Sequence, residues 1–250
     1  MIVDDPVLGA VIANYPSDRG RPLILGGVVC AAAAVILNFT VAAIPDWWGP
    51  LLTVIIMAAI VLVVGWYLAH IWNREVILYQ RGFSYREGAT TVFFLYKEVI
   101  TIRQRAEQLA YFGGLFRRVA YQITIKTVRD EQLVLTNVYK RIAELGARLE
   151  DKINETLRPD ALRKLAQGGS VIFADGLWLD GEGLHSDGRV LSWAEFGGYR
   201  IHNRQLHFTK RGDEAWAALP LSDIDNITLL LDILRSQQEA SVGAGAGAAS

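Results

Sequence analysis

Residues 23–71 read LILGGVVCAAAAVILNFTVAAIPDWWGPLLTVIIMAAIVLVVGWYLAHI. Two runs within them, 23–44 and 51–71, match the roughly 20 residues a helix needs to cross hydrocarbon. Neither run holds Asp, Glu, Lys or Arg, and His70 lies at an end where water is within reach. The intervening Pro45-Asp46-Trp47-Trp48-Gly49-Pro50 leaves room only for a tight turn. The two spans therefore form an antiparallel hairpin whose ends share one side. Arg19 and Arg21 precede the first run, Arg74 and Arg81 follow the second, and the turn holds neither Lys nor Arg, so both termini are expected in the cytoplasm. Trp47 and Trp48 at one end, with Trp66, Tyr67 and Trp72 toward the other, supply amphipathic rings for the two interfaces. A cleaved signal peptide fits poorly, because Asp4, Asp5 and Asp18 stand where a basic leader is required. Gly26-Gly27 and Ala31-Ala32-Ala33-Ala34 offer a small-residue face for the second helix. Asn38 and Thr40 are polar within the span, a pattern that fits interhelical hydrogen bonds better than a transport path.

The rest of the composition narrows the partners. The mean hydropathy of +0.23 over 250 residues is carried by these runs, and the net charge of −1 excludes the basic surplus that nucleic-acid binding demands. A single cysteine, Cys30, rules out an internal disulfide framework and fits a reducing compartment.

After Trp72 the pattern changes to short alternating runs separated by Gly and charged turns, which predicts antiparallel strands at 75–79, 82–86, 91–96, 99–103, 120–127 and 132–136. Val138, Ile142, Leu145, Leu149 and Ile153 then draw one stripe along a helix, with Asn137 as its N-cap. Residues 156–169 read as a connector with one short helix over 160–167, begun by Pro159 and ended by Gly168-Gly169. The order recurs: strands are predicted at 171–173, 176–179, 183–186, 190–193, 198–202, 205–209 and 214–218. A helix carrying Ile224, Ile227, Leu230, Leu231 and Leu234 follows, with Ser222 or Asp223 as its cap. Tyr96-Lys97-Glu98-Val99 echoes Trp193-Ala194-Glu195-Phe196, and Gly82-Phe83 echoes Gly183-Leu184. The reading is a duplicated small α+β domain. The divisions are an N-terminal segment (1–22), the hairpin (23–71), a first β-rich unit (72–155), the connector (156–169), a second β-rich unit (170–238) and a disordered tail (239–250).

Through Arg74-Glu75-Val76-Ile77-Leu78-Tyr79 leading to Gly82, and Gly183-Leu184 leading to Leu191-Ser192-Trp193, the chain resembles an uncharacterised group of small bacterial membrane proteins with pleckstrin-homology-like cytoplasmic repeats. The resemblance covers most of the chain after the hairpin. It implies two antiparallel β rolls, each capped by a C-terminal helix, at the inner membrane, and brings no activity or binding residue with it.

Chemistry-bearing patterns are sparse. His70, His185, His202 and His207 show no ligand spacing, and no nucleophile elbow or phosphate-binding glycine loop occurs, so no enzyme activity, metal or cofactor is expected. Asp180, Glu182 and Asp187 surround a glycine-rich turn but lack the alternate-position pattern of a calcium loop. One segment stands out, 103–118, RQRAEQLAYFGGLFRR. Tyr111, Phe112, Leu115 and Phe116 flank Gly113-Gly114 between Arg103, Arg105, Arg117 and Arg118, a composition suited to an anionic lipid surface, although aromatics plugging the core beside solvated arginines is the reading it favours. The expected function is a membrane-anchored, non-enzymatic binding or scaffolding module for a protein segment or anionic headgroups. The alternative is a channel or transporter subunit, with homo-oligomerisation open in either case.

Overall fold

The structure, a computed structural model, describes residues 4–43, 48–111 and 116–246. It is an α+β chain. Its elements, in order, are β1 (Val11–Pro16), α1 (Gly20–Ala43), α2 (Trp48–Trp72), β2 (Glu75–Tyr79), β3 (Gly82–Glu87), β4 (Thr90–Leu95), β5 (Val99–Tyr111), β6 (Phe116–Thr127), β7 (Gln132–Thr136) and α3 (Ile142–Ala166). There follow β8 (Val171–Ala174), β9 (Leu177–Leu179), β10 (Gly183–Ser186), β11 (Arg189–Ser192), β12 (Phe196–His202), β13 (Gln205–Lys210), β14 (Ala215–Pro220) and α4 (Ile227–Ala246). The chain divides into two compact units, Met1–Phe94 with Val138–Arg141, and Leu95–Asn137 with Ile142–Ser250. The strands read together in 72–155 are thus shared between them.

In the first unit, α1 and α2 are long and apolar enough to cross a membrane. Residues 22, 26, 30, 33, 37 and 41 of α1 are the partly covered ones, as are 53, 57, 60, 64 and 68 of α2, both at spacings of three and four. A Cβ at Gly26 would stand 2.8 Å from Val64 Cγ1, so a larger residue would force Val64 or the helix spacing to give way. Gly27, Ala31 and Ala34 stay exposed. The small-residue face predicted for α2 is therefore split, with Gly26 and Ala33 facing α2 and the others turned away.

The N-terminal segment supplies the unexpected element. β1 precedes the apolar hairpin and β2 follows it, yet the two pair antiparallel from Val11↔Tyr79 to Pro16↔Glu75 in a sheet ordered β1-β2-β3-β4. Ser17 N donates to the Arg74 carbonyl (2.9 Å), extending the ladder to the helix ends. Tyr15, Val76, Leu78, Phe83 and Phe94 are buried, and Phe83 stacks on Phe94. At the foot of α2, Arg74 pairs with Glu87 and lies 2.8 Å from His70 Nε2. Tyr85 donates its hydroxyl to Glu87, and burial followed by this carboxylate pushes the phenol pKa up, keeping it a donor.

The second unit contains sheets β5-β6-β7, β8-β9-β10-β11 and β12-β13-β14. Phe173, Leu177, Leu184, Leu191, Phe196, Leu206 and Phe208 join Leu230, Ile233 and Leu234 of α4 in one apolar cluster. Helix α3 buries Ile142, Leu145, Leu149 and Ile153, the predicted stripe, but begins four residues after Val138. Arg141 is left-handed (φ 55°), and the residues before it pair with the chain after β1 instead: Asp18 N donates to Val138 O (2.6 Å) and Lys140 N to Pro16 O (3.1 Å). Asn137 is not an N-cap: it accepts from Tyr121 N (2.9 Å) and donates to the Val119 carbonyl (2.7 Å), standing in for one more residue of β7. Residues 156–166 continue α3 rather than forming a connector with its own helix. Pro159 is exposed, so the carbonyl it orphans can meet water, and Leu157, Ala161 and Leu165 pack against the apolar cluster. Similarly α4 starts at Ile227, beyond the expected Ser222 or Asp223 cap, and its backbone runs through alanine-rich sequence to Ala246.

Two halves of the chain share details beyond element order. In each, four strands, three strands and a helix follow in succession. A left-handed residue, Arg141 or Asn226, stands directly before the helix. The residue before that donates to the first strand, Lys140 N to Pro16 O (3.1 Å) and Asp225 N to Phe173 O (2.6 Å). Bulges fall at Val99/Thr101 and Phe196/Gly198. The turns after β6 and β13 are alike: Thr127 N bonds Glu131 O, Asp130 N bonds Thr127 O, Lys210 N bonds Glu214 O and Asp213 N bonds Lys210 O. By this correspondence Asp175-Gly176, which joins β8 to β9, occupies the place that residues 17–74 fill between β1 and β2.

Glu150 of α3 is buried and ties three elements: it accepts from Gln104 Nε2 of β5 and from Thr228 N and Oγ1 of α4 (2.5, 3.1 and 2.8 Å). Replacing it with Ala strands those donors and should cost about 2–3 kcal/mol. Glu150→Gln, which keeps one acceptor, should cost less. Thermal unfolding of the full chain in detergent checks the order, and equal transition temperatures for Glu150→Ala and the native protein would remove the staple.

Candidate functional site

The predicted segment 103–118 forms the distal part of the β5–β6 hairpin, which pairs continuously from Thr101↔Lys126 to Tyr111↔Phe116. β7 accompanies only Gln122–Lys126 of β6, and Asn137 extends that support to Val119. Residues 106–111 and 116–121 thus run on as a two-stranded arm about 20 Å long at the usual rise per residue. Strands were expected only at 99–103 and 120–127, because RAEQLAYF carries no alternation. The matching hairpin β12–β13 closes at His202↔Gln205 through left-handed Asn203 and Arg204 and has no such arm.

The predicted site residues separate along this hairpin. Tyr111 and Phe116 are the last paired backbone positions, and Arg117 and Arg118 pair with Ala110 and Leu109. Phe112 and Leu115 lie outside the described residues, as do the side chains of Tyr111, Phe116, Arg117 and Arg118. Arg103 and Arg105 stand instead at the root of the arm, on the sheet face that also carries Thr101, Gln122, Thr124 and Lys126. There the 3-10 turn Leu221–Asp223 and Asp225 wall a cleft of about 250 Å³. Arg103 Nε donates to Asp225 Oδ1 at 2.7 Å.

Asn226 holds that wall in place. Its backbone N donates to Ile102 O (2.8 Å), its Oδ1 accepts from Ile102 N (2.9 Å) and its Nδ2 donates to Ile100 O (3.0 Å). This side chain therefore saturates the edge of β5 as a neighbouring strand would. Asn137 and Asn226 were legible only as cap or turn formers; that each borders a strand edge is a matter of tertiary placement.

Of the anchors predicted for the membrane interfaces, Trp47 lies outside the described residues. Trp48 opens α2, and Trp66, Tyr67 and Trp72 are exposed near its other end. From Trp48 to Trp66 the helix rises about 27 Å, close to the thickness of a bilayer's hydrocarbon. Arg19 lies over the Trp72 ring at 4.8 Å.

The acidic turn at Asp180 serves its own backbone. Asp180 Oδ1 accepts from Glu182 N and Gly183 N, and Oδ2 lies 2.7 Å from His185 Nε2. Burial raises the Asp180 pKa, but the His185 contact and the two backbone donors outweigh it and hold the carboxyl below its ordinary value. Among the described residues, no three of His, Cys, Asp and Glu converge as a metal site would require.

No curated protein and no solved structure matches the chain. A family profile does, over residues 2–241, and on that match the chain belongs to the family of unknown function DUF6585.

Proposed function

We propose that this chain is a membrane-anchored, non-enzymatic binding or scaffolding module built from two pleckstrin-homology-like units, with an apolar hairpin inserted into the first. The observation that carries the reading is the matched pair of pre-helix bonds, Lys140 N to Pro16 O and Asp225 N to Phe173 O, which equates β1 with β8. Once those strands correspond, α1 and α2 occupy a β-turn. A turn inserted between paired neighbours returns to where it left, so residues 16 and 75 lie on one side of any bilayer the hairpin crosses. Arg19, Arg21, Arg74 and Arg81 favour the cytoplasm as that side.

The hairpin confines the units to a bacterial inner membrane, and the units supply the binding surface. In the second half, two sheets and a helix close one apolar core, an arrangement that leaves loops and strand edges for recognition. The β5–β6 arm has no counterpart in the second half and carries Arg117 and Arg118 with Glu107, while Arg103 and Arg105 stand at its root. Anionic lipid is the ligand this composition favours. A protein segment is the other occupant such a module takes.

Two outcomes test this. Replacing residues 17–74 with Asp-Gly, the turn that joins β8 to β9, should give a soluble protein with native strand and helix content by circular dichroism. Removing residues 1–74 should not, because it also deletes β1; if both deletions behave alike, the insertion reading fails. On liposomes, the turn-replaced protein should float with anionic but not neutral vesicles, more weakly at physiological than at low salt. Arg117→Glu with Arg118→Glu should abolish that flotation, and unchanged binding excludes the arm as the lipid contact.

A further inference from the structure

At the foot of α2 three side chains compete for one another. His70 Nε2 lies 2.8 Å from Arg74 Nη2 and 3.5 Å from Glu87 Oε1, and the same Arg74 Nη2 donates to Glu87. Every guanidinium nitrogen carries hydrogen and none can accept, so Nε2 is the acceptor of this bond and the ring hydrogen sits on Nδ1. His70 is therefore neutral here, and Arg74 bridges it to Glu87. Tyr85 occupies the other oxygen of that carboxylate, at 2.8 Å.

We propose that His70, Arg74 and Glu87 form a proton-operated joint between the apolar hairpin and the sheet that follows it. A proton taken up by His70 lands on Nε2, the ring nitrogen without hydrogen. Nε2 then cannot accept from Arg74, and the imidazolium repels the guanidinium beside it. The acceptor within reach is Glu87 Oε1. The ring therefore takes the carboxylate for itself, and Arg74 leaves the pair that fastens the end of α2 to β3. With 44% of its side chain exposed, His70 gains the proton without any opening of the fold. Trp66 stacks on the imidazole, 5.9 Å between centroids, and keeps it in place. The charges on the neighbouring elements are otherwise engaged: Glu75 with Arg86, Asp18 with Arg21, and Arg19 over the Trp72 ring. Burial keeps Tyr139, beside Tyr85, a neutral phenol. The exchange is thus confined to the three residues, and the second half, with Asp175-Gly176 in place of the hairpin, has no helix end to fasten.

The test uses the full-length chain in detergent. Ring ¹⁵N NMR at pH 8 should show His70 as the Nδ1–H tautomer, its signals identified by their loss in His70→Asn, and Arg74→Met should remove that preference. His70→Lys imitates the charged ring and His70→Gln the neutral one. At pH 8 phenylglyoxal should modify the Arg74 guanidinium roughly fivefold faster in His70→Lys than in the native chain, and no faster in His70→Gln, read by mass spectrometry of the peptide that carries residue 74. The native chain brought to about pH 5, where imidazoles are charged, should show the Arg74 Nε signal that His70→Lys shows at pH 8. An Nε2–H tautomer at pH 8, equal Arg74 modification in the native chain and His70→Lys, or an Arg74 signal unchanged between pH 8 and pH 5 overturns the joint.

Discussion

The ladder between β1 and β2 is the constraint on which the first unit depends. Those strands are separated in sequence by both long apolar helices, yet they pair in register and bury Tyr15 against the same layer as Val76 and Leu78. Closing a long loop costs little more than closing a moderate one, because the entropy grows only with the logarithm of length. A preordered helix pair whose ends already lie side by side costs less still. The sheet and the hairpin therefore reinforce one another. With only three residues between Pro16 and Gly20 and two between Trp72 and Glu75, and with Arg74 paired to Glu87, the end of α2 is fastened to the edge of β3.

The same economy appears at the two asparagines. A strand edge beside a loop exposes donors and acceptors that must be satisfied, and a primary amide presents one of each at the spacing of a peptide group. Asn137 does this for β6 and Asn226 for β5. Asn226 also adopts φ 50°, a conformation asparagine tolerates better than most residues, so one side chain reverses the chain before α4 and completes the sheet it touches.

Local patterns were legible and tertiary exchanges were not. The bounds at 75–79, 132–136 and 183–186 follow from alternation between turn residues, and both apolar spans from composition alone. β1, by contrast, is VIANYP, too short and mixed to stand out before a stronger signal, and its partner lies beyond the hairpin. The single helix α3 was read as two pieces because Pro159 ordinarily ends a helix; burial of Leu157, Ala161 and Leu165 on either side of it prevails. A further signal was present and unread: Thr127-Val128-Arg129-Asp130-Glu131 against Lys210-Arg211-Gly212-Asp213-Glu214, which adopt the same hydrogen-bonded turn. Within the candidate site, the basic and aromatic composition of 103–118 was visible. The separation of Arg103 and Arg105 from the tip was not, because it requires knowing that the strands continue.

The second half provides an internal baseline for the first. The bulges, turns and pre-helix bonds recur in both halves and go with their common strand order; where the halves differ, the feature belongs to one half alone. Two additions stand out in the first half, between β1 and β2 and at the β5–β6 turn, one made mostly of two apolar helices and the other ending in aromatic residues beside Arg117 and Arg118. A third difference is electrostatic. Arg200 is neutralised by its own hairpin neighbour, whereas Arg103 takes its carboxylate from the segment before α4, leaving donors over. The three differ in chemistry: a pair of long apolar helices, a two-stranded extension with arginines near its end, and an arginine whose carboxylate partner comes from the segment before α4 rather than from a neighbouring turn.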